Sequence, residues 1–273
     1  ILGSKRELHK AIKQALKTYK RAFKVERKTE LINEVAKDYV EHVVEEDIYV
    51  LIDRFGYAKS IDSNAYSKAD ESTIAEYRQV IQMKNTDTLC FFTSNANMYR
   101  IKVSAIPKGR IRDKGVLIHS LCKMGNEEAI FFIPFEELFE SQLVFVTKNG
   151  YVKRVSGIEF ETGRSQISSS KLEDGDEIIL ISSLSTEEVI MDSKRIFFLT
   201  NDHFTLCYPI SEVNEYKKTS RGVTGIKLGK DDYVKAAYVL GNTDKSVVFN
   251  EKELGINRFK EGKRADKGKK IRL

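Results

Sequence analysis

The chain has 273 residues, 41% of them hydrophobic, with 46 Lys or Arg against 40 Asp or Glu and a formal net charge of +6. That length suits one large domain, or one domain with an appendage, and the apolar content supports a buried core. No apolar run approaches the ~20 residues that cross a bilayer, and residues 1–30 lack the apolar stretch of a signal peptide, which argues against membrane and secretory classes.

Charge is unevenly placed. Residues 1–41 hold 11 Lys or Arg against 6 acidic residues, residues 244–273 hold 10 against 5, and the 202 residues between hold 25 against 29. A polyanionic partner would therefore meet a local patch and not the whole surface. The three cysteines (Cys90, Cys122, Cys207) and four histidines (His9, His42, His119, His203) are scattered without metal-ligand spacing. They read as ordinary side chains of a protein from a reducing cytoplasm, with the thiols buried or half-buried. Because the sequence opens on Ile1 and not on Met, it is expected to be a piece of something longer.

From Ile1 to about His42, Leu8, Ile12, Leu16, Tyr19 and Phe23 recur at helical spacing. A break near Val25-Glu26-Arg27-Lys28 should precede a second helix from Thr29 to Glu41, with Thr29 as N-cap. After Glu46, short β-rich runs alternate with Gly, Asn, Asp and Ser clusters, the mark of an all-β sandwich, barrel or propeller. The run VFVTKNGYVKRV reads as a hairpin with an Asn-Gly type I′ turn.

That hairpin repeats. Gly150 placed over Gly56 aligns VFVTKNGYVKRV with VLIDRFGYAKSI, and FFTSNANMYRIKV, FLTNDHFTLCYPI and VFNEKELGINRF follow with Ala96, His203 and Glu253 at the turn position. The turn positions lie 40, 54, 53 and 50 residues apart, which suits one four-stranded propeller blade per unit. Fourteen residues past the turn position stand Arg110, Arg164, Lys217 and Lys267, while the first unit has Asp70 in the acidic stretch KADESTIAE.

In a repeat ring, equivalent positions share one radius and height, so these cations would form an arc able to follow a phosphate backbone. Arg112, Lys114, Lys218, Arg221, Lys263 and Arg264 flank them. Glycines such as Gly109, Gly115, Gly222 and Gly268 would permit close backbone approach. Lys153 and Arg154, their counterpart Lys59, and the less well-placed Arg100 and Arg258 would extend the same rim.

Signatures of chemistry are missing: the sequence has no Walker A loop, GxSxG elbow, HExxH or Rossmann glycine run. DGDE (Asp174–Glu177) reads as a strand-connecting turn and not as a metal site. Tyr57, Tyr151 and Tyr208 read as half-buried packing residues.

The units LVFVTKNGYVKRV, IPKGRIRDKG, KLEDGDEI and KTSRGVTGIKL resemble successive blades of the C-terminal domain of the A subunit of bacterial type II topoisomerases, gyrase and topoisomerase IV. ILGSKRELHKAIKQALKTYKRAFKVERKTELI resembles the last helices of the preceding breakage-reunion domain. The resemblance implies a mainly β fold, a β-pinwheel or propeller-like ring of about five four-stranded blades over 45–273, after a helical segment over 1–44. It implies non-sequence-specific binding and bending of duplex DNA, in support of ATP-dependent decatenation and relaxation by the full enzyme. Gyrase carries a Q-R-R-G-G-K-G box in its first blade. Here the nearest approximation is GKRADKG at 262–268, in the last unit, which favours topoisomerase IV.

By the same resemblance the catalytic tyrosine lies upstream and ATP hydrolysis belongs to the B subunit. This segment would then have no catalytic residue and no cofactor, while the full enzyme uses ATP and Mg²⁺. Its partners would be double-stranded DNA, a second A subunit joined through upstream domains, and the B subunit, in a cytoplasmic, nucleoid-associated setting. Two other readings are a gyrase A-subunit domain that wraps DNA, and a propeller used for protein interaction.

Overall fold

The computed structural model describes residues 3–25, 44–125, 127–249, 252–256, 259 and 261–271. The chain divides into two compact units, residues 1–42 and 43–273. In the first, the three-and-four apolar spacing produces helix α1 (Lys5–Ala22). Lys20 and Arg21 lie in its last turn, where the helix dipole favours cations, and the Phe23 amide donates to the Tyr19 carbonyl at 2.9 Å. The helix expected over Thr29–Glu41 lies outside the described residues.

The second unit is mainly β, as expected, with four four-stranded sheets and a two-stranded one among the described residues. Each sheet is centred on a hairpin: Asp47–Ile52 with Tyr57–Asp62, Thr88–Thr93 with Asn97–Lys102, Ser141–Thr147 with Tyr151–Ser156, Lys194–Thr200 with Phe204–Pro209, and Ser246–Phe249 with Lys252–Gly255.

Four of the turns are built alike. Gly56, Ala96, Gly150 and His203 are all left-handed, with φ of 83°, 61°, 79° and 66°. Each donates its amide to the carbonyl three residues earlier, of Asp53, Thr93, Thr147 and Thr200, at 3.0–3.2 Å. The side chains of those four residues accept in turn from the amides of Tyr57, Asn97, Tyr151 and Phe204. This is a type I turn closed by a left-handed residue, which a three-residue connection requires. The type I′ expectation for Asn149-Gly150 is thereby corrected, because only Gly150 is left-handed. Glu253 corrects the fifth alignment: it lies within a strand, opposite Val248.

The fourth strand of each blade does not come from the blade's own unit. Val116–Leu117 follows the second hairpin in the chain yet pairs with Ala58 and Tyr57 of the first. Gln166–Ser168 returns to the second hairpin, Val223–Thr224 to the third and Lys269–Lys270 to the fourth. Each unit thus completes the blade before it. The segment available to widen the fifth sheet is used by the fourth instead.

Four apolar clusters lie between consecutive blades, and strand alternation feeds them. Phe91 enters the cluster shared with the first blade while Phe92 enters the one shared with the third. Likewise Phe198 faces the third blade and Phe197 the fifth. Strands buried on both faces explain the unbroken runs LCFF, LVFV and IFFL, where a solvated sheet would alternate with polar residues. Cys90 and Cys207 are buried and Cys122 is half-buried, all as free thiols. Burial pushes the Cys90 thiol up to about 12.

Candidate nucleic-acid interface

Between a hairpin and its returning strand runs the segment that carries the basic motifs. In three units it forms the same seven-residue loop: GRIRDKG (109–115), YKKTSRG (216–222) and GKRADKG (262–268). The first amide of each loop, of Gly109, Tyr216 and Gly262, donates to the carbonyl of Ser60, Arg154 and Cys207 in the preceding blade at 2.8–2.9 Å. The amides of Asp113, Ser220 and Asp266 then close turns onto the carbonyls of Arg110, Lys217 and Lys263 at 3.0–3.1 Å. The Asp113 and Asp266 carboxylates accept from the amides of Arg110 and Lys263 at 2.7 and 3.0 Å, so the turn's acceptors are taken up by backbone and not by those two cationic side chains.

The closing glycine is obligatory at each loop. Gly115, Gly222 and Gly268 have φ of 78°, 96° and 76°, and a Cβ there would collide with the carbonyl of Ala58, Val152 or Thr205. These three carbonyls occupy one station, two residues past the hairpin turn. Just before each glycine, a cation lies over the aromatic ring one residue past the same turn. Lys114 is over Tyr57 at 4.2 Å, Arg221 over Tyr151 at 4.3 Å and Lys267 over Phe204 at 4.7 Å. The loop of one unit is therefore docked on the hairpin of another at three points.

This frame re-registers the expected arc. Arg110 and Lys217 are equivalent, but their counterpart in the last unit is Lys263, whereas Lys267 matches Lys114 and Arg221. Arg164 belongs to no such loop. In the second unit, Leu117 pairs with Tyr57 ten residues after Pro107 accepts from Ser60. In the third, Ser168 pairs with Asn97 only three residues after Ser165 accepts from Arg100. The seven loop residues are missing, and Arg164 is an exposed residue ahead of the return. Asp70 is not an acidic replacement for a rim cation either. It is the N-cap of a short helix, Glu71–Ile74, that follows Ser63–Ser67 in a segment held to the first blade by Tyr66 stacking on Tyr49 at 3.8 Å.

Of the other residues expected at the rim, Arg110, Arg112, Lys114, Lys217, Arg221, Lys263 and Lys267 are exposed. Arg221 is ion-paired with Glu173. Lys218 donates to the Glu159 carbonyl, and Arg264 donates to the carbonyls of Glu212 and Thr224 at 3.0 Å each. Lys59 and Lys153 correct the expectation of a rim position, being 2% and 1% exposed. Alternation turns them away from their core-facing neighbours Ala58 and Val152, but the opposite face of these strands is buried as well. Arg154 donates to the Val213 carbonyl at 2.5 Å, and burial lowers its pKa. Arg100 stacks on Phe135 at 3.8 Å. Arg258 lies outside the described residues.

The second blade differs at its tip as well. Where the first, third and fourth blades seat a cation on an aromatic, Thr93, Asn97 and Tyr99 donate to the Glu127 carboxylate at 2.5–3.1 Å. Burial, then the bond to Glu127, push the Tyr99 hydroxyl up to about 12. A carboxylate at that station repels phosphate. Sequence reading missed Lys269 and Lys270, exposed on the last returning strand, and the platform Phe204; Tyr57 and Tyr151 are half-buried packing residues, as expected, but the cations they seat were not foreseen. The platforms were visible as aromatics one residue past aligned turns. DGDE is a turn, as expected: the Asp176 amide donates to the Glu173 carbonyl at 3.1 Å, and the Asp176 carboxylate accepts from the Asn149 amide at 2.9 Å.

A family model described as DNA gyrase C-terminal domain, beta-propeller, matches residues 87–132, 141–185 and 196–240, so that each match starts at a hairpin. The chain is 31% identical over 251 residues to the DNA gyrase A subunit of Helicobacter pylori, covering 86% of this chain and 30% of that protein. It is 27% identical over 284 residues to the DNA topoisomerase 4 A subunit of Bacillus subtilis, covering 98% of this chain and 34% of that one. The chain thus spans about a third of the length of the curated relatives it matches. Among solved structures, its fold is similar to the C-terminal domain of DNA topoisomerase IV, with a TM-score of 0.71 at 24% identity over 84% of this chain and 73% of that one. It is also similar to the E. coli ParC C-terminal domain, with a TM-score of 0.63 at 14% identity over 83% of this chain and 94% of that one.

Proposed function

Because the chain belongs to the family of C-terminal domains of type II topoisomerase A subunits, we propose that its β unit binds duplex DNA by its phosphates and bends it without reading sequence. One observation carries this reading: the same glycine-closed loop is built three times, each time with an exposed cation at the first turn position, Arg110, Lys217 and Lys263. Such cations neutralise phosphates and release counterions, and nothing about the loops presents a fitted set of donors and acceptors to base edges.

Within the family, we infer, the chain belongs with topoisomerase IV and not with gyrase. Two observations support this: the nearest approximation to the gyrase box, GKRADKG, is in the last unit and not the first, and the second blade has no loop. Contacts interrupted in this way hold a bend but not a continuous wrap. In the full enzyme the domain would serve ATP-dependent decatenation and relaxation at the nucleoid of the cytoplasm. Its protein partners there would be a second A subunit, through upstream domains, together with a B subunit. Bending 20–30 base pairs through 40–90° costs about 1–6 kcal/mol, which contacts along the bend must offset.

The test is topological. A nicked circle is saturated with the protein, ligated and deproteinised, while bending is followed by energy transfer between labelled DNA ends. The expected result is bent DNA with little change in linking number. Strong trapping of positive supercoils would transfer the chain to the gyrase reading, and absence of binding at low salt would overturn the DNA reading altogether.

A further inference from the structure

Lys59 and Lys153 are ammonium groups in the interior, each three residues past a left-handed turn. Buried charges need acceptors, and both find them in a loop donated by another unit. Lys59 Nζ donates to the carbonyls of Ile111 and Asp113, at 2.5 Å each. Lys153 Nζ donates to those of Lys218 and Ser220 at 2.8 and 2.9 Å, and to Ser169 at 3.1 Å. Ile111 and Lys218 are the third residues of their loops, and Asp113 and Ser220 the fifth. Two lysines in separate blades therefore grip identical stations.

The remaining blades make the correlation informative. The second blade, which receives no loop, has Tyr99 at this position, bonded to Glu127 and Gln166. The fourth has Leu206, and its loop is anchored instead by its own Arg264, which donates to the Glu212 and Thr224 carbonyls. A buried lysine occurs where a loop must be held from beneath. Burial pushes the Lys153 ammonium down to about 7, with Glu159 drawing it back up, so the three carbonyl acceptors are what this group has in place of water.

We propose that Lys59 and Lys153 are positioning residues of the DNA interface: each fixes the backbone of a loop whose flanking cations meet phosphate, and neither meets DNA itself. This rests on the DNA reading above. A loop held by its third and fifth carbonyls presents Arg110 or Lys217 already ordered, so binding does not have to order it.

Lys59→Met and Lys153→Met, made separately in the whole chain, separate positioning from contact. A buried ammonium releases no counterions. Affinity for a duplex should therefore fall about tenfold at every salt concentration, with the slope of log K against log[salt] unchanged, whereas Arg110→Ala flattens that slope by about 0.9. Amide exchange should rise in 109–115 for Lys59→Met and in 216–222 for Lys153→Met, and stay unchanged in the hairpin strands. If a Met variant unfolds below the assay temperature, Lys153→Gln, whose amide still donates to two carbonyls, should show the same pattern more weakly. A flattened slope in the Lys→Met variants would make these lysines direct contacts, and unaltered affinity and exchange would make them bystanders. Either result overturns the assignment while leaving the DNA reading intact. Wild-type protein that ignores DNA overturns both.

Discussion

Removing the loop-tip cations is the most direct challenge to the phosphate track. Eight cations on the loops and the last returning strand are exposed and have no carboxylate partner among the described residues: Arg110, Arg112, Lys114, Lys217, Lys263, Lys267, Lys269 and Lys270. If all eight neutralise phosphates, log K should fall against log[salt] with a slope of about −7, at about 0.9 per contact. Between 50 and 200 mM salt that amounts to a loss of about four decades in affinity. Arg110→Ala, Lys217→Ala and Lys263→Ala together should flatten the slope to about −4.5 and shrink the loss to below about three decades. Fluorescence anisotropy with a labelled duplex, read across salt, gives both numbers. Arg164→Ala is the internal comparison: the blade beneath it has no loop, so its slope should stay within error of wild type. A triple variant with the wild-type slope, or Arg164→Ala matching Lys217→Ala, would refute the phosphate track.

Three further outcomes are expected. Gly222→Ala places a Cβ 2.5 Å from the Val152 carbonyl at a left-handed φ, so it should destabilise the domain by more than about 1 kcal/mol and lower Tm by several degrees in calorimetry. Lys153 titrates at about 7 when folded and near ~10.4 when unfolded, so the unfolded chain binds more protons between those values and stability rises with pH there. Lys153→Met has no such contribution, and denaturant melts should show its stability falling relative to wild type from pH 7 to pH 9. With supercoiled plasmid, Mg²⁺ and ATP, the chain alone should leave no protein-linked break on a denaturing gel; a covalent adduct would put the nucleophile among its own 12 tyrosines.

The hairpins were legible because their information is local. Apolar runs around a turn signal declare themselves, and the aligned positions 56, 96, 150 and 203 all proved left-handed even where Ala96 or His203 stands in place of glycine. The destination of the returning strand was not legible. Val116–Leu117 is two residues long, has no periodicity to read, and pairs with residues almost sixty positions back. The same non-local step hid the meaning of Lys59 and Lys153. Next to a turn, a lysine reads as solvated until the carbonyls that receive it are known. The register error at Lys267 had the same origin, because the last hairpin does not follow the turn pattern of the other four, so counting from Glu253 miscounts the loop.

The order in which strands are completed bears on how the protein is made. During synthesis the first hairpin emerges with Tyr57 and Ala58 unpaired on one side, and their partners at 117 and 116 come out only after the second hairpin. The third and fourth hairpins wait longer, for Val223–Thr224 and Lys269–Lys270. At ~5–20 residues per second, a wait of roughly 60 residues is about 3–12 seconds during which a nascent blade shows an open edge. A ribosome halted between hairpins therefore exposes a strand able to pair with a neighbouring nascent chain. Truncation after any hairpin should likewise yield aggregates and not a shorter domain, since the damage falls on the blade before the cut.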